Sequence, residues 1–416
     1  MPNDRYFPII SDTSCRSKWA WSTIYLNTGR TGSCHRSSMS VIADDFDNFH
    51  NTDKKIQARQ LMLEGKWPGD GCEYCKDIES ADGYSDRQFQ NQIPNVYPSE
   101  LDNDSTLTTV NPVILEVFFS NACNLKCIYC NASYSSSIQT EDKKFGGAIL
   151  SQNNFNYDDN RYRELNPKFW NWFKKHSISL QRLQILGGEP LIQTDLIELI
   201  EYVDTMPHPA LEFNLVTNLS LPYKSIHSHL TTLAKFVVNG NLKRVDIQAS
   251  VDCWGSEQEY IRNGFDCTMF EHNMKELIKF GQFRIGLLST ITSLSIPTMS
   301  NLVTKFNEWN QLQTIFWYMH LVLPINDSIF SPTIFNFSKF ESHLNQVAEL
   351  LPNTTWDDKT SRDTFLGIVN KLEKNCREDT IKQHQLLMYL NENDQRRGTN
   401  WKKTFPWLQK ELEHVV

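Results

Sequence analysis

Cys123, Cys127 and Cys130 stand in the run NACNLKCIYCN with the spacing C-x3-C-x2-C, which constrains this chain more than any other feature. Three soft thiolates crowded onto one short loop suit an iron-sulfur cluster better than a hard cation. Three protein ligands also leave one iron of a four-iron cubane open to a cofactor or substrate, where four thiolates would close the shell. Taken alone, the spacing also fits a structural zinc site with a remote fourth ligand, or a chance grouping.

The bulk numbers narrow the classes. A chain of 416 residues can bury a large core and divide into two or three domains. Its 40% hydrophobic and 22% charged content is ordinary for a folded soluble protein, and a net charge of -8 argues against a general nucleic-acid binder. No apolar run approaches the roughly 20 residues that cross a bilayer, and the opening MPNDRYFPIISD lacks a basic stretch followed by an apolar one. The expectation is a cytoplasmic protein with no membrane or nucleic-acid partner. Seven of the ten cysteines fall into two groups, so metal ligation is the better reading than a disulfide framework.

From Val113 onward, short apolar runs alternate with helical lengths: VILEVFF, LQRLQIL, ALEFNLVTN, RVDIQASVD, FRIGLLSTITS and TIFWYMHLVLP. This is the rhythm of βα units, and it predicts an α/β fold with a parallel sheet curved into a partial, TIM-like (βα)6 barrel over residues 111–325. Before it, residues 1–110 hold a hairpin reading, WAWSTIYLNTGRTGSC, with Gly29 and Gly32 as turn residues, and a short helix, KKIQARQLMLEG, stopped by Gly65. After it, residues 326–416 read as a mainly helical region whose closing Trp and Phe residues pack on the barrel. The long polar segment 135–165 reads equally as an active-site lid or a surface insertion.

The cysteine loop follows VILEVFF and therefore falls at the end of the first barrel strand, where catalytic groups of such folds collect. Here, with Tyr129 as the aromatic before the third cysteine, the chain resembles the radical S-adenosylmethionine superfamily over roughly 113–324. Gly187, Gly188, Glu189 and Pro190 after LQRLQIL resemble the family's GGEP segment, which holds the amino group of S-adenosylmethionine; without the cysteine loop they would read as a turn. The resemblance implies a [4Fe-4S] cluster on Cys123, Cys127 and Cys130, S-adenosylmethionine as cofactor, and an external one-electron donor such as flavodoxin or ferredoxin. It further implies that Thr217, Asn218, Ser250 and Asp252 at strand ends contact the ribose. Arg262 would meet the methionine carboxylate, since a guanidinium forks onto a carboxylate, while Ser289 and Thr290 would line the adenosine pocket. Ordinary polar strand ends and a surface salt bridge remain the alternatives for these residues.

Cys15, Gly29 and Cys34 stand as C-x13-G-x4-C, followed by Cys72 and Cys75 in GCEYC. This resembles the opening of the auxiliary-cluster modules called twitch and SPASM domains, here placed ahead of the barrel instead of after it. Four thiolates saturate either zinc or a second cluster, and the resemblance implies an auxiliary [4Fe-4S] site on Cys15, Cys34, Cys72 and Cys75. It also implies an enzyme that abstracts a substrate hydrogen with a 5'-deoxyadenosyl radical, and a ribosomally made peptide as substrate. A sugar or small-metabolite dehydrogenase, epimerase or dehydratase is the alternative, and a noncatalytic metal-binding scaffold is a further one. No separate leader-peptide-binding segment stands out, and nothing in the periodicity assigns a homodimer interface. Cys253, directly after Asp252, is a candidate hydrogen donor to a substrate radical, against the simpler reading of a small buried residue.

Overall fold

The computed structural model describes residues 4–34, 37–42, 44–69, 71–80, 83–147, 158–322, 328–352, 355–356 and 359–413. Two of its sheets carry the site. Their strands are β1 (Trp21–Tyr25), β2 (Arg30–Gly32), β3 (Ser40–Val41), β4 (Ile114–Phe118), β5 (Lys126–Cys127), β6 (Arg182–Leu186), β7 (His208–Thr217), β8 (Leu242–Ser250), β9 (Arg262–Asn263), β10 (Phe283–Ile291) and β11 (Ile315–Leu321). Nine of them form one sheet in the order β11-β10-β8-β7-β6-β4-β1-β2-β3, and β5 pairs with β9 in a separate ladder. The run β4, β6, β7, β8, β10, β11 is parallel throughout and in chain order, matching the expected βα rhythm. Its outer strands do not pair with one another, so the sheet is open.

Each strand alternates its side chains between two faces. Leu183, Ile185, Phe213, Leu215, Val245, Ile247, Ile285 and Leu287 face the helices and share one core with Phe169, Phe173, Leu199, Leu230, Phe270 and Phe306. Burial of each such large apolar side chain contributes roughly 1.5–3 kcal/mol, which fixes the strand register against the helix layer. The helices have local start and stop signals. Cys267–Phe280 begins where the Asp266 side chain accepts from Met269 N–H and ends at Gly281, whose φ is 70°. The alternate residues point to the other face, called here the inner face.

The N-terminal residues do not form a body set apart from this sheet. β1 pairs in parallel with β4 and returns through Gly29, at φ 66°, into antiparallel β2; Gly32 lies inside β2 and not in the turn. A second core of Phe7, Trp19, Met62, Tyr97 and Leu101 includes Val113 and Ile114 at the start of β4. The sheet and this core therefore both cross the boundary expected at 110, and the boundary expected at 325 lies outside the described residues. The C-terminal region is mainly helical, with Ser361–Asn375 and Thr380–Arg397 as its long helices. Phe405 packs edge-on against Tyr260, the ring centroids 5.2 Å apart.

Candidate functional site

The loop after β4 places three half-buried, unbridged thiols together. Burial pushes Cys123 up to about 12, and Cys130 is raised first by burial and then by the charges of Cys127 and Cys123, so the three sulfurs lie in one another's field. Leu125 N–H donates to Cys123 Sγ at 3.5 Å, the kind of contact that tunes an iron-sulfur cluster. Among the described residues no trio of His, Cys, Asp or Glu is gathered as tightly as a single metal ion requires. A cubane holds each thiolate on its own iron, and a soft three-thiol set fits it.

The Gly187-Gly188-Glu189 turn at the end of β6 lies directly against this loop. Gly188 N–H donates to Ser120 O at 3.2 Å and Glu189 N–H to Ala122 O at 2.7 Å. A Cβ on Gly188 would come within 2.1 Å of Ala122 O, and Gly187 has φ 112°, so both positions demand glycine. Glu189 is fully buried, and burial pushes its carboxyl up to about 7 against hydrogen bonds from Asn218 N, Thr217 Oγ1 and Leu191 N. Those three bonds, at 2.6, 2.7 and 3.1 Å, occupy most of the carboxylate's accepting positions. The Thr217 hydroxyl and the Asn218 backbone N–H are thus drawn onto Glu189, because a buried carboxylate must be satisfied. Asn218 Nδ2 also donates to Asn124 Oδ1 at 2.8 Å, tying the end of β7 to the cysteine loop.

A second buried group closes the other side of the loop. Arg262 forks onto Asp252, Nε to Oδ2 and Nη2 to Oδ1, both at 2.9 Å. Tyr129 Oη donates to Asp252 Oδ2 at 2.5 Å, and Thr290 N–H to Oδ1 at 2.8 Å. The fork expected to meet a cofactor carboxylate is therefore occupied by Asp252, and Arg262 stands opposite Cys127 in the β5–β9 ladder. Ser250 and Thr290 point to the inner face, as the strand alternation requires. Ser289 points the opposite way: its hydroxyl donates to Val251 O and accepts from Trp317 Nε1, so it does not line a pocket. Cys253 is 0% exposed, packed in the main core with its thiol on Gln258 Oε1 at 3.8 Å, the small buried residue of the simpler reading.

The sequence reading missed a clamp from the C-terminal helix. Tyr389 Oη donates to Ile128 O at 2.7 Å, and Arg397 Nη1 to Lys126 O at 2.8 Å, both carbonyls flanking Cys127. Arg397 is also paired with Glu141 at 2.9 Å, and Lys126 Nζ reaches the same carboxylate at 3.0 Å. Glu141 lies on helix Ser136–Phe145, whose N-terminal Ser137 donates to Cys123 O at 2.7 Å. The segment 135–165 thus begins as part of the cysteine loop's support; its residues 148–157 lie outside the described residues. No local pattern signals contacts between residues so distant in sequence.

At the other end of β1, Cys15 is pushed up to about 11 by burial and then by Cys34, with a further contribution from Cys75. Cys72 is buried in the N-terminal core beside Trp19 and Met62. Three of the four expected thiols thus lie in one field, and Cys72 precedes the helix Glu73–Ser80 that bears Cys75. Cys15 precedes β1 and Cys34 follows antiparallel β2, so both sit beside the N-terminal end of β4, whereas Cys123 follows its C-terminal end. The step from Trp21 to Tyr25 alone separates those ends by about 13 Å.

Residues 113–262 match the family described as a 4Fe-4S single cluster domain. A GTP 3',8-cyclase of Saccharophagus degradans is 26% identical over 168 residues, a match that spans 40% of this chain and 37% of that protein. Among solved structures, SuiB of Streptococcus suis bound to S-adenosylmethionine aligns over 82% of this chain and 70% of its own, with 13% identity and a TM-score of 0.38. SuiB bound to its precursor peptide SuiA aligns over 81% and 69%, with 13% identity and a TM-score of 0.39. No helix of the described residues is long and apolar enough to cross a membrane.

Proposed function

We propose that this chain is a radical S-adenosylmethionine enzyme that abstracts a hydrogen atom from a substrate held on the inner face of the parallel sheet. The observation that carries this reading is the direct seating of the three-cysteine loop on the Gly187-Gly188-Glu189 turn, in a region matching a 4Fe-4S domain. When bound, a [4Fe-4S] cluster on Cys123, Cys127 and Cys130 with S-adenosylmethionine would supply a 5'-deoxyadenosyl radical. The chain's own residues hold that centre: Glu189, Thr217 and Asn218 brace the turn, Arg262 and Asp252 orient Tyr129, and Tyr389 and Arg397 fix the loop from outside. The backbone of Gly187 and Gly188 and the inward hydroxyls of Ser250 and Thr290 are the groups left to receive the cofactor. An external one-electron donor such as flavodoxin or ferredoxin would be required.

Cys15, Cys34, Cys72 and Cys75 would hold an auxiliary [4Fe-4S] cluster. Its place at the opposite strand ends favours electron transfer or structural support over direct ligation of the substrate. A ribosomally made peptide is the substrate we favour, and the cyclase relative motivates a nucleotide or small metabolite as the second reading.

Anaerobic reconstitution followed by dithionite reduction tests the proposal. The expected result is 5'-deoxyadenosine, formed by the wild type and not by a variant with all three loop cysteines replaced by alanine, together with a cluster paramagnetic signal that shifts on adding S-adenosylmethionine. An iron-replete protein that binds S-adenosylmethionine but yields no deoxyadenosine with any reductant would reject it. In the alanine variant, zinc retained without iron would reject the auxiliary cluster.

A further inference from the structure

The inner face of the sheet carries a row of side-chain amides that no described residue engages by hydrogen bonding. Gln184 on β6 stands opposite Asn214 on β7, and Gln248 on β8 stands opposite Val216, the next residue on the same face of β7. Neighbouring strands lie about 4.8 Å apart and Gln248 stands two residues further along, so the row crosses three strands diagonally within about 12 Å. Asn214 is 8% exposed, and its Oδ1 has no hydrogen-bond partner. Gln184 and Gln248 are half-buried and also have no partner among the described residues. An unpaired buried amide destabilises a fold, and a valine or leucine would pack at the Asn214 position without that penalty, so Asn214 points to a ligand that Gln184 and Gln248 flank.

The surroundings narrow the ligand's chemistry. Toward the N-terminal ends of the strands the inner face is charged, but each arginine is matched: Arg182 to Glu212 at 3.2 Å, Arg244 to Glu212 at 3.0 Å and to Asp246 at 2.6 Å, and Arg284 to Asp246 at 3.8 Å. Three arginines share these two carboxylates, and Glu212 also takes Lys243 Nζ at 3.0 Å, so a phosphate could be met here only by drawing an arginine off its carboxylate. On one flank Tyr25 stacks on Phe118 with centroids 4.2 Å apart, and Tyr134 lies 5.6 Å from Phe118. On the other flank Phe316 and Tyr318 face inward from β11.

We propose that Gln184, Asn214 and Gln248 form a substrate-reading row that hydrogen-bonds the backbone amides of an uncharged peptide segment lying between these aromatic flanks. A carboxamide offers one acceptor oxygen and two N–H donors, which complement the C=O and N–H of a peptide unit one for one. A nucleoside triphosphate would bring several negative charges onto a face whose arginines are already engaged by Glu212 and Asp246. The inference names the substrate of the reaction proposed above and relies on that proposal only for the chemistry performed, not for the binding.

Binding is therefore measured apart from turnover. The reconstituted full chain is equilibrated with a pool of short, neutral, N-acetylated and C-amidated peptides and, separately, with GTP; retained molecules are identified by mass spectrometry after rapid size exclusion. Retention of peptides and not of GTP is expected, with each of Gln184→Met and Gln248→Met weakening retention about tenfold, the loss of roughly one well-formed hydrogen bond. Methionine preserves side-chain length at half-exposed positions; Asn214→Leu is the third variant, and circular dichroism and iron content verify that all three are folded. Retention of GTP in place of peptides, no retained peptide, or equal retention by wild type and the two methionine variants would overturn the proposal. Peptide retention by a wild type that makes no deoxyadenosine would support the row while rejecting the radical reading.

Discussion

Arg397→Met tests whether the C-terminal helix holds the cysteine loop. The Arg397 side chain is 4% exposed and that of its partner Glu141 6%, and the two are joined through Nε at 3.1 Å and Nη2 at 2.9 Å. Removing one member of a buried pair typically costs 3–5 kcal/mol, because the remaining charge is left in a poor medium. Lys126 Nζ stays on Glu141 at 3.0 Å and offsets part of that loss. The Lys126 carbonyl, however, loses its donor, so the expected destabilisation is about 3 kcal/mol. Methionine keeps the apolar stem of the side chain, which confines the change to the charge and its hydrogen bonds. The assay is anaerobic urea unfolding of wild type, Arg397→Met, Glu141→Gln and the double variant, with iron per chain measured in each. A coupling energy of about 2 kcal/mol and reduced iron retention are expected. Burial alone would raise Glu141, but the Arg397 hydrogen bond and charge, aided by Lys126, hold it below its ordinary 4.5. The pair's contribution is therefore complete above pH 4.5 and lost as pH falls through the lowered folded value. A coupling below about 0.5 kcal/mol, with iron retained in full, would refute the reasoning.

Gly188→Ala should abolish cluster assembly, since its Cβ would strike Ala122 O at 2.1 Å; an iron-replete alanine variant would show that the loop tolerates displacement. Asp252→Asn leaves the Arg262 guanidinium buried without a countercharge and should cost about 3 kcal/mol in thermal or urea unfolding, a loss below 1 kcal/mol contradicting the assigned pairing. Cys253→Ala should cost only about 1 kcal/mol, as for a small buried side chain, and leave deuterium incorporation from heavy water unchanged. A lost deuterium signal would return Cys253 to the reaction.

Much of the fold was legible because it is written at short range. The βα rhythm located six of the seven parallel strands among the described residues, missing β1, and Gly29 and Gly65 marked a real turn and a real helix end. The cysteine loop and the GGEP turn were found because each is contiguous, and a contiguous motif survives whatever the rest of the chain does. The roles of single polar residues at strand ends were harder to read. The Thr217 hydroxyl turned onto Glu189, the Asn218 amide onto Asn124, Arg262 onto Asp252 and Ser289 onto Trp317, because each buried polar group takes the nearest partner that satisfies it. The inner-face amides were visible as polar alternates in RLQIL, LEFNLV and RVDIQAS, but that signal acquires meaning only when the strand register is known.

The sequence by itself determined which thiols are grouped and their order along the chain: three on one loop, a glycine turn one βα unit later, and four earlier cysteines in a hairpin and a short GCEYC run. Those follow from local spacing, which covalent geometry enforces. Only the tertiary structure decided that β1 joins β4 in one sheet, that the two cysteine groups therefore stand at opposite ends of parallel strands, and that Tyr389 and Arg397 close on the loop from the far end of the chain. Strand adjacency and buried charge pairing depend on which surfaces exclude water together. That is a property of the whole packed chain and of no segment taken alone.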